Sequence, residues 1–228
     1  MANHFDLEEQ EQLDQLKHFW NTWGTLISGV LIVAFGSIAA WNGYQYWQNR
    51  QATQASALAD AMESAVSASD AARIEQVLGD LKSRYAGTIQ ASQAGLTAAR
   101  ALADTGKPEA AKAALEWMTQ GAVDDGYKAL ARLRLVSLLI EEKAYDQALT
   151  QLSGPTPVGF DAAFADRRGD VLALQGKKAE AVAEYQRAYK TFDERVEYRR
   201  LVEVKLNALG AQVPQQVAVS TAQSGGVQ

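Results

Sequence analysis

Histidine, cysteine and converging carboxylates are the side chains that most often carry chemistry, and in this chain they are few and poorly placed for it. There is no cysteine, and the two histidines, His4 and His18, both precede a long uncharged stretch. Everything after that stretch therefore lacks thiol nucleophiles, imidazole acid–base groups and the commonest transition-metal ligands. The carboxylate pairs Asp124-Asp125 and Glu141-Glu142 are sequence neighbours beside turn signals, which suits solvated helix ends better than two groups facing one substrate. Gly169 and Gly176-Lys177 come nearest to a phosphate loop, but they are too far apart, and Lys178 stands where Ser or Thr would be needed. The chain reads as non-enzymatic, with no catalytic, cofactor-binding or metal-ligating residues.

Charge narrows the partners further. Residues 51–210 hold twenty Lys and Arg against twenty-two Asp and Glu, finely mixed. The doublets Arg167-Arg168, Lys177-Lys178 and Arg199-Arg200 all have acids close by, so no concentrated basic footprint exists for nucleic acid.

One element must hold the rest in place. From His18 to Asn49 no residue is charged. Thr22 to Trp41 supplies the roughly 20 residues that, at ~1.5 Å each, cross a hydrocarbon core of ~30 Å. Leu26, Ile27, Val30, Leu31, Ile32, Val33, Phe35 and Ile38 favour insertion by about −2 to −5 kcal/mol together. Trp20 and Trp23 at one end, and Trp41 and Trp47 at the other, are expected to anchor it at the two lipid–water interfaces. A buried core helix would carry a polar face, and this segment has none. A cleaved signal would begin short and basic, whereas Met1 to Asn21 is acidic; Ser37-Ile38-Ala39 keeps cleavage open as an alternative. Lys17 and the terminal amine face Arg50 across the span, so charge leaves orientation open.

Beyond the span, Ala/Leu/Glu/Lys/Arg/Gln-rich stretches with apolar residues every three or four positions predict helices. They break at Gly87-Thr88, Asp104 to Pro108, Gly121 to Gly126, Gly154 to Pro157 and Gln175 to Lys177. The breaks repeat. Gly169, Leu172, Gly176, Ala181, Tyr185 and Ala188 fit the small, large, turn, small, aromatic, small order of a tetratricopeptide hairpin. Lys143 to Leu152 and Gly106 to Leu115 align with it, placing Ala111, Ala148 and Ala181 37 and then 33 residues apart. Small residues at Ala99, Ala111, Gly169 and Ala181 let paired helices approach, while Leu115, Leu152 and Tyr185 fill the gap to the next helix. Ala72 to Tyr85 is expected to begin the stack and Arg195 to Leu209 to close it, ending at Gly210.

The expected architecture is all-α: a single N-terminal transmembrane helix followed by a tetratricopeptide-like α-solenoid. Its segments are residues 1–21 before the membrane, 22–47 for the span with its aromatic flanks, 48–210 for the repeat domain, and an uncharged tail, 211–228, expected to be disordered. By repeat phase, Leu96, Arg100, Leu133, Ser137, Ile140, Asp166 and Asp170 should line a concave partner-binding face. The alternative for some of them is packing against a capping helix.

This arrangement resembles the YfgM family, the ancillary subunit of the bacterial SecYEG translocon. The resemblance is carried by Leu13 to Trp20 leading into the span, the aromatic exit Trp41 to Trp47, Arg84-Tyr-Ala-Gly-Thr88, and Ala129 to Leu135. It lacks the Trp of the first repeat position and the aromatic at two of three second-helix sites. Family membership implies a single-pass inner-membrane protein with a cytosolic N-terminus and a periplasmic helical domain. It further implies partners in SecYEG, the membrane-anchored foldase PpiD and nascent secreted polypeptides, which would be passed to periplasmic chaperones. The competing functional expectation is a structural or regulatory scaffold of another cell-envelope complex.

Overall fold

The computed structural model describes residues 7–212, with side chains from residue 11 onward. His4 and the expected disordered tail beyond residue 212 lie outside the described residues. The described residues form nine helices and no strand: α1 (Leu7–Ser67), α2 (Ala71–Arg84), α3 (Ile89–Asp104), α4 (Pro108–Gly121), α5 (Asp125–Glu141), α6 (Tyr145–Leu152), α7 (Asp161–Leu174), α8 (Lys178–Thr191) and α9 (Tyr198–Ala208). The chain divides into two compact units between Gln54 and Ala55, and α1 contributes to both.

In the first unit α1 is a single helix. Its most apolar window is only 6 % buried, which removes the core-helix alternative and leaves a candidate membrane span. Hydroxyls in such a helix need a local acceptor, because lipid offers none. Thr22 Oγ1 donates to the His18 carbonyl at 2.9 Å and Ser37 Oγ to the Val33 carbonyl at 2.7 Å. Trp20, Trp23, Trp41 and Trp47 are all exposed on this helix.

The second unit is a stack of hairpins set by one recurring turn. At Ser69, Gly106, Lys143, Gly176 and Gly210 the backbone takes positive φ, between 52° and 76°. At each, the turn N–H donates to the carbonyl three residues back, and the next N–H donates to the carbonyl five back, as in Lys107 to Leu102 at 2.8 Å and Lys177 to Leu172 at 2.9 Å. This left-handed cap satisfies carbonyls that the ending helix leaves free. The five turn residues are 37, 37, 33 and 34 positions apart, by subtraction along the chain. Among the described residues there are thus four hairpins rather than the three visible in sequence, the first joining residues 55–67 of α1 to α2. The helix α9 stands one period on from α7, with the Gly210 turn after it.

Helix starts follow local chemistry. Asp70, Thr88 and Asp124 accept hydrogen bonds from backbone amides in the first turns of α2, α3 and α5, and Pro108 opens α4. Between hairpins, Lys107 pairs with Glu75 and Lys112 with Glu142, both at 2.8 Å, and Gln175 donates to Asp146 at 2.9 Å. Exposed pairs contribute ~0–1 kcal/mol each, so they align neighbours more than they hold them. The stronger tie is Arg132 of α5. Its guanidinium stacks 4.7 Å from the Phe164 ring and donates to the carbonyls of Gln151, Ser153 and Pro155, so that α6 can end after two turns.

Burial drives the stacking. Ala99, Ala111, Ala148 and Ala181 are fully or almost fully buried, as are Leu115, Leu152 and Tyr185. The closest approach is at Gly169, where an added Cβ would lie 2.6 Å from two atoms of the Tyr185 ring. That ring cannot swing away, because its hydroxyl donates to Asp170 at 2.8 Å. Gly169→Ala is expected to destabilise by up to about 2 kcal/mol, the overpacking cost of about 1–3 kcal/mol less the ~1 kcal/mol gain in helix propensity. In α2 nothing lies near a Cβ at Gly79. Gly79→Ala is expected to stabilise by up to ~1 kcal/mol. Urea unfolding of both variants checks the two opposite signs.

Candidate partner-binding surface

The first helices of successive hairpins share a face, and the repeat period tells which residues meet there. Shifting Leu96 and Arg100 back by 37 gives Ala59 and Glu63; shifting Thr97 forward by 37 gives Arg134. All of them line one cleft of about 700 Å³ between residues 55–67, α3 and α5. Its floor is apolar, from Met62, Val66 and Leu96, and its rim carries Glu63, Arg100, Asp104 and Arg134. Arg100 and Asp104 sit 3.7 Å apart as a highly exposed pair, and Arg134 donates to the Leu96 carbonyl at 3.1 Å.

The remaining expected face residues fall elsewhere along the stack. Ser137 shares a smaller hollow with Arg100 and Arg134. Leu133 and Asp166 line a third hollow, closed by Phe192 and Tyr198. Ile140 is half-buried against the core. Asp166 and Asp170 are taken up by the closing helix: Lys205 Nζ donates to both Asp166 oxygens at 2.7 and 2.8 Å and lies 2.7 Å from Asp170 Oδ1. Tyr198 donates to Asp166 and Tyr185 to Asp170, each at 2.8 Å, and Arg167 pairs with Asp170 at 3.4 Å. Burial pushes the Lys205 ammonium down, but its hydrogen bonds to Asp166 and Asp170 outweigh that and hold it above the ordinary lysine value. Burial first, and the bonds to Asp170 and Asp166 second, raise the Tyr185 and Tyr198 phenols. Below α9, Val202 and Leu206 are fully buried.

A tetratricopeptide repeat-like family model matches residues 17–211, a range that includes the span as well as the hairpins. A protein of Neisseria gonorrhoeae named ancillary SecYEG translocon subunit is 35 % identical over 213 residues, covering 92 % of this chain and all of the relative. The chain belongs to the family of ancillary SecYEG translocon subunits. Relatives of the same name in Haemophilus influenzae and Escherichia coli are each 26 % identical, over 90 % and 88 % of this chain and 99 % and 96 % of their own lengths. No solved structure matches the chain. One candidate membrane helix followed by stacked hairpins fits an inner-membrane member of the translocon-subunit family.

Sequence reasoning missed part of the surface of this family member. Met62, Glu63 and Val66 lie on a helix that reads as the exit from the membrane, and their hairpin turns at Ser69 instead of Gly. The signal was present: Ile74, Leu78 and Leu81 stand 37 residues before Ala111, Leu115 and Met118. It was masked because large Ile74 occupies a position that is alanine in the other three hairpins.

Proposed function

We propose that this chain is a non-enzymatic, membrane-anchored adaptor of the SecYEG translocon. Its N-terminus lies in the cytosol, and its hairpin domain lies in the periplasm, where it binds protein partners and helps pass translocated polypeptides to chaperones. The observation that carries this reading is the near full-length match to relatives named as ancillary translocon subunits. The cleft supports it, since an apolar floor with a mixed-charge rim suits a peptide or partner helix. PpiD and nascent polypeptides are the proposed partners.

Crosslinked native membranes, solubilised in mild detergent, should yield SecYEG and PpiD with this chain. Recovery of division or signalling components in their place would favour an envelope scaffold. Protease added to spheroplasts should digest the chain after Arg50, and full protection would reverse the proposed orientation. For the cleft itself, Arg100→Glu with Thr97→Glu changes two exposed side chains that line it. The expected result is about tenfold weaker partner binding, equal to ~1.4 kcal/mol, at unchanged helix content. Unaltered binding would move the contact to another face.

A further inference from the structure

The cleft between residues 55–67, α3 and α5 carries its charges in a fixed order. Glu63 stands on the first of these helices and Arg134 on the third, both exposed. Among the described residues neither joins an ion pair. Arg134 gives one N–H to the Leu96 carbonyl at 3.1 Å, which holds its guanidinium over α3 and leaves further donors for a ligand. Between the two walls Arg100 and Asp104 of α3 lie 3.7 Å apart and offset each other. The cleft is therefore negative along one wall, neutral over the buried Met62 and Leu96 in the middle, and positive along the other.

Size selects the shape of what fits. Neighbouring helices pack at ~8–10 Å, so the three span about 16–20 Å. A partner helix ~10 Å in diameter laid across them would displace roughly 1,300–1,600 Å³, about twice the 700 Å³ of the cleft. An extended chain, with ~3.3 Å rise, ~4.8 Å strand spacing and ~10 Å sheet spacing, takes roughly 160 Å³ per residue, so about four or five residues fill the cleft. Its amides, unlike those of a helix, need outside partners, and exposed Gln93 and Thr97 line the cleft one turn apart on α3. Alternate side chains of such a chain face the same way. We propose that the cleft takes an extended segment of about five residues, in either chain direction, whose first, third and fifth side chains are basic, apolar and acidic. The base meets Glu63, the apolar side chain rests on Met62 and Leu96, and the acid meets Arg134. The assignment rests on the adaptor reading of the cleft as a protein-binding surface and adds what that surface recognises.

The test selects from a random linear-peptide display library on the purified full chain in lipid nanodiscs, after empty nanodiscs have removed lipid binders. Enriched peptides should carry opposite charges four positions apart with an apolar residue midway. Selection on Glu63→Lys should replace the basic position with an acidic one, and selection on Arg134→Glu should replace the acidic position with a basic one. Both substitutions change exposed side chains, so the fold is expected to stand. The synthetic wild-type consensus peptide, followed by fluorescence anisotropy, should bind each variant about fivefold more weakly, the loss of one exposed pair and the gain of one like-charge contact. No enrichment, apolar residues spaced as on a helix at i, i+3 and i+7, or the same charge preferences in both variants would each overturn the proposal. Failure to recover SecYEG from crosslinked membranes would defeat the translocon assignment alone, since the peptide selection contains no translocon.

Discussion

Lys205→Met is expected to destabilise the hairpin domain by about 3–5 kcal/mol, the cost of removing one partner from a buried ion pair. Asp166 is 1 % exposed and both its oxygens accept from Lys205, so the substitution leaves a buried carboxylate facing an apolar side chain. Adding Asp166→Asn to the variant should recover part of the loss, because an uncharged amide removes the unpaired charge and can still bond Tyr198. The same cluster gives a pH dependence. Lys205, Tyr185 and Tyr198 all have folded values raised above the ordinary 10.5 for lysine and 10.0 for tyrosine. Their contribution is then complete below about pH 10 and is lost as pH climbs through the raised values, since the unfolded chain gives up its protons first. Urea unfolding between pH 8 and 11 should show falling stability in the wild type and a shallower fall in the variant. A Lys205→Met chain within ~1 kcal/mol of wild type, or stability rising with pH in this window, would contradict the network as described.

Val30→Arg with Val33→Arg should abolish stable membrane integration. Both positions lie near the middle of the span, where each arginine costs about 2.5–3.5 kcal/mol on insertion scales. Two of them outweigh the roughly −2 to −5 kcal/mol contributed by the apolar side chains of the whole segment. The double variant should be released from membranes by alkaline carbonate, and Val30→Arg alone only in part. Retention of the double variant after carbonate extraction would mean that something other than this helix holds the chain.

How legible these features were in sequence depends on how local their causes are. The uncharged stretch with its four flanking tryptophans could be read directly, because transfer into lipid is close to a sum over one segment. The alanine period was legible for a similar reason: a hairpin turn and the small residues beside it recur on one short stretch of chain. Where Ile74 breaks the small-residue pattern, the sequence showed Ala72 to Tyr85 as the start of the stack but not residues 55–67 as its hairpin partner, although the backbone bonds of that turn match the others.

The sequence by itself determined that the chain has an apolar segment able to cross a membrane, a helical repeat domain, and no histidine or cysteine within that domain. Periodicity, composition and transfer energies act over a few neighbouring residues and need no fold to be evaluated. Only the tertiary structure decided which repeat-face positions are available. Leu96 and Arg100 join Glu63 and Arg134 in an open cleft, whereas Asp166 and Asp170 are held by Lys205, 39 and 35 positions along the chain by subtraction. Residues at equivalent repeat positions look alike in sequence, and the fate of each is set by whichever distant helix packs over it.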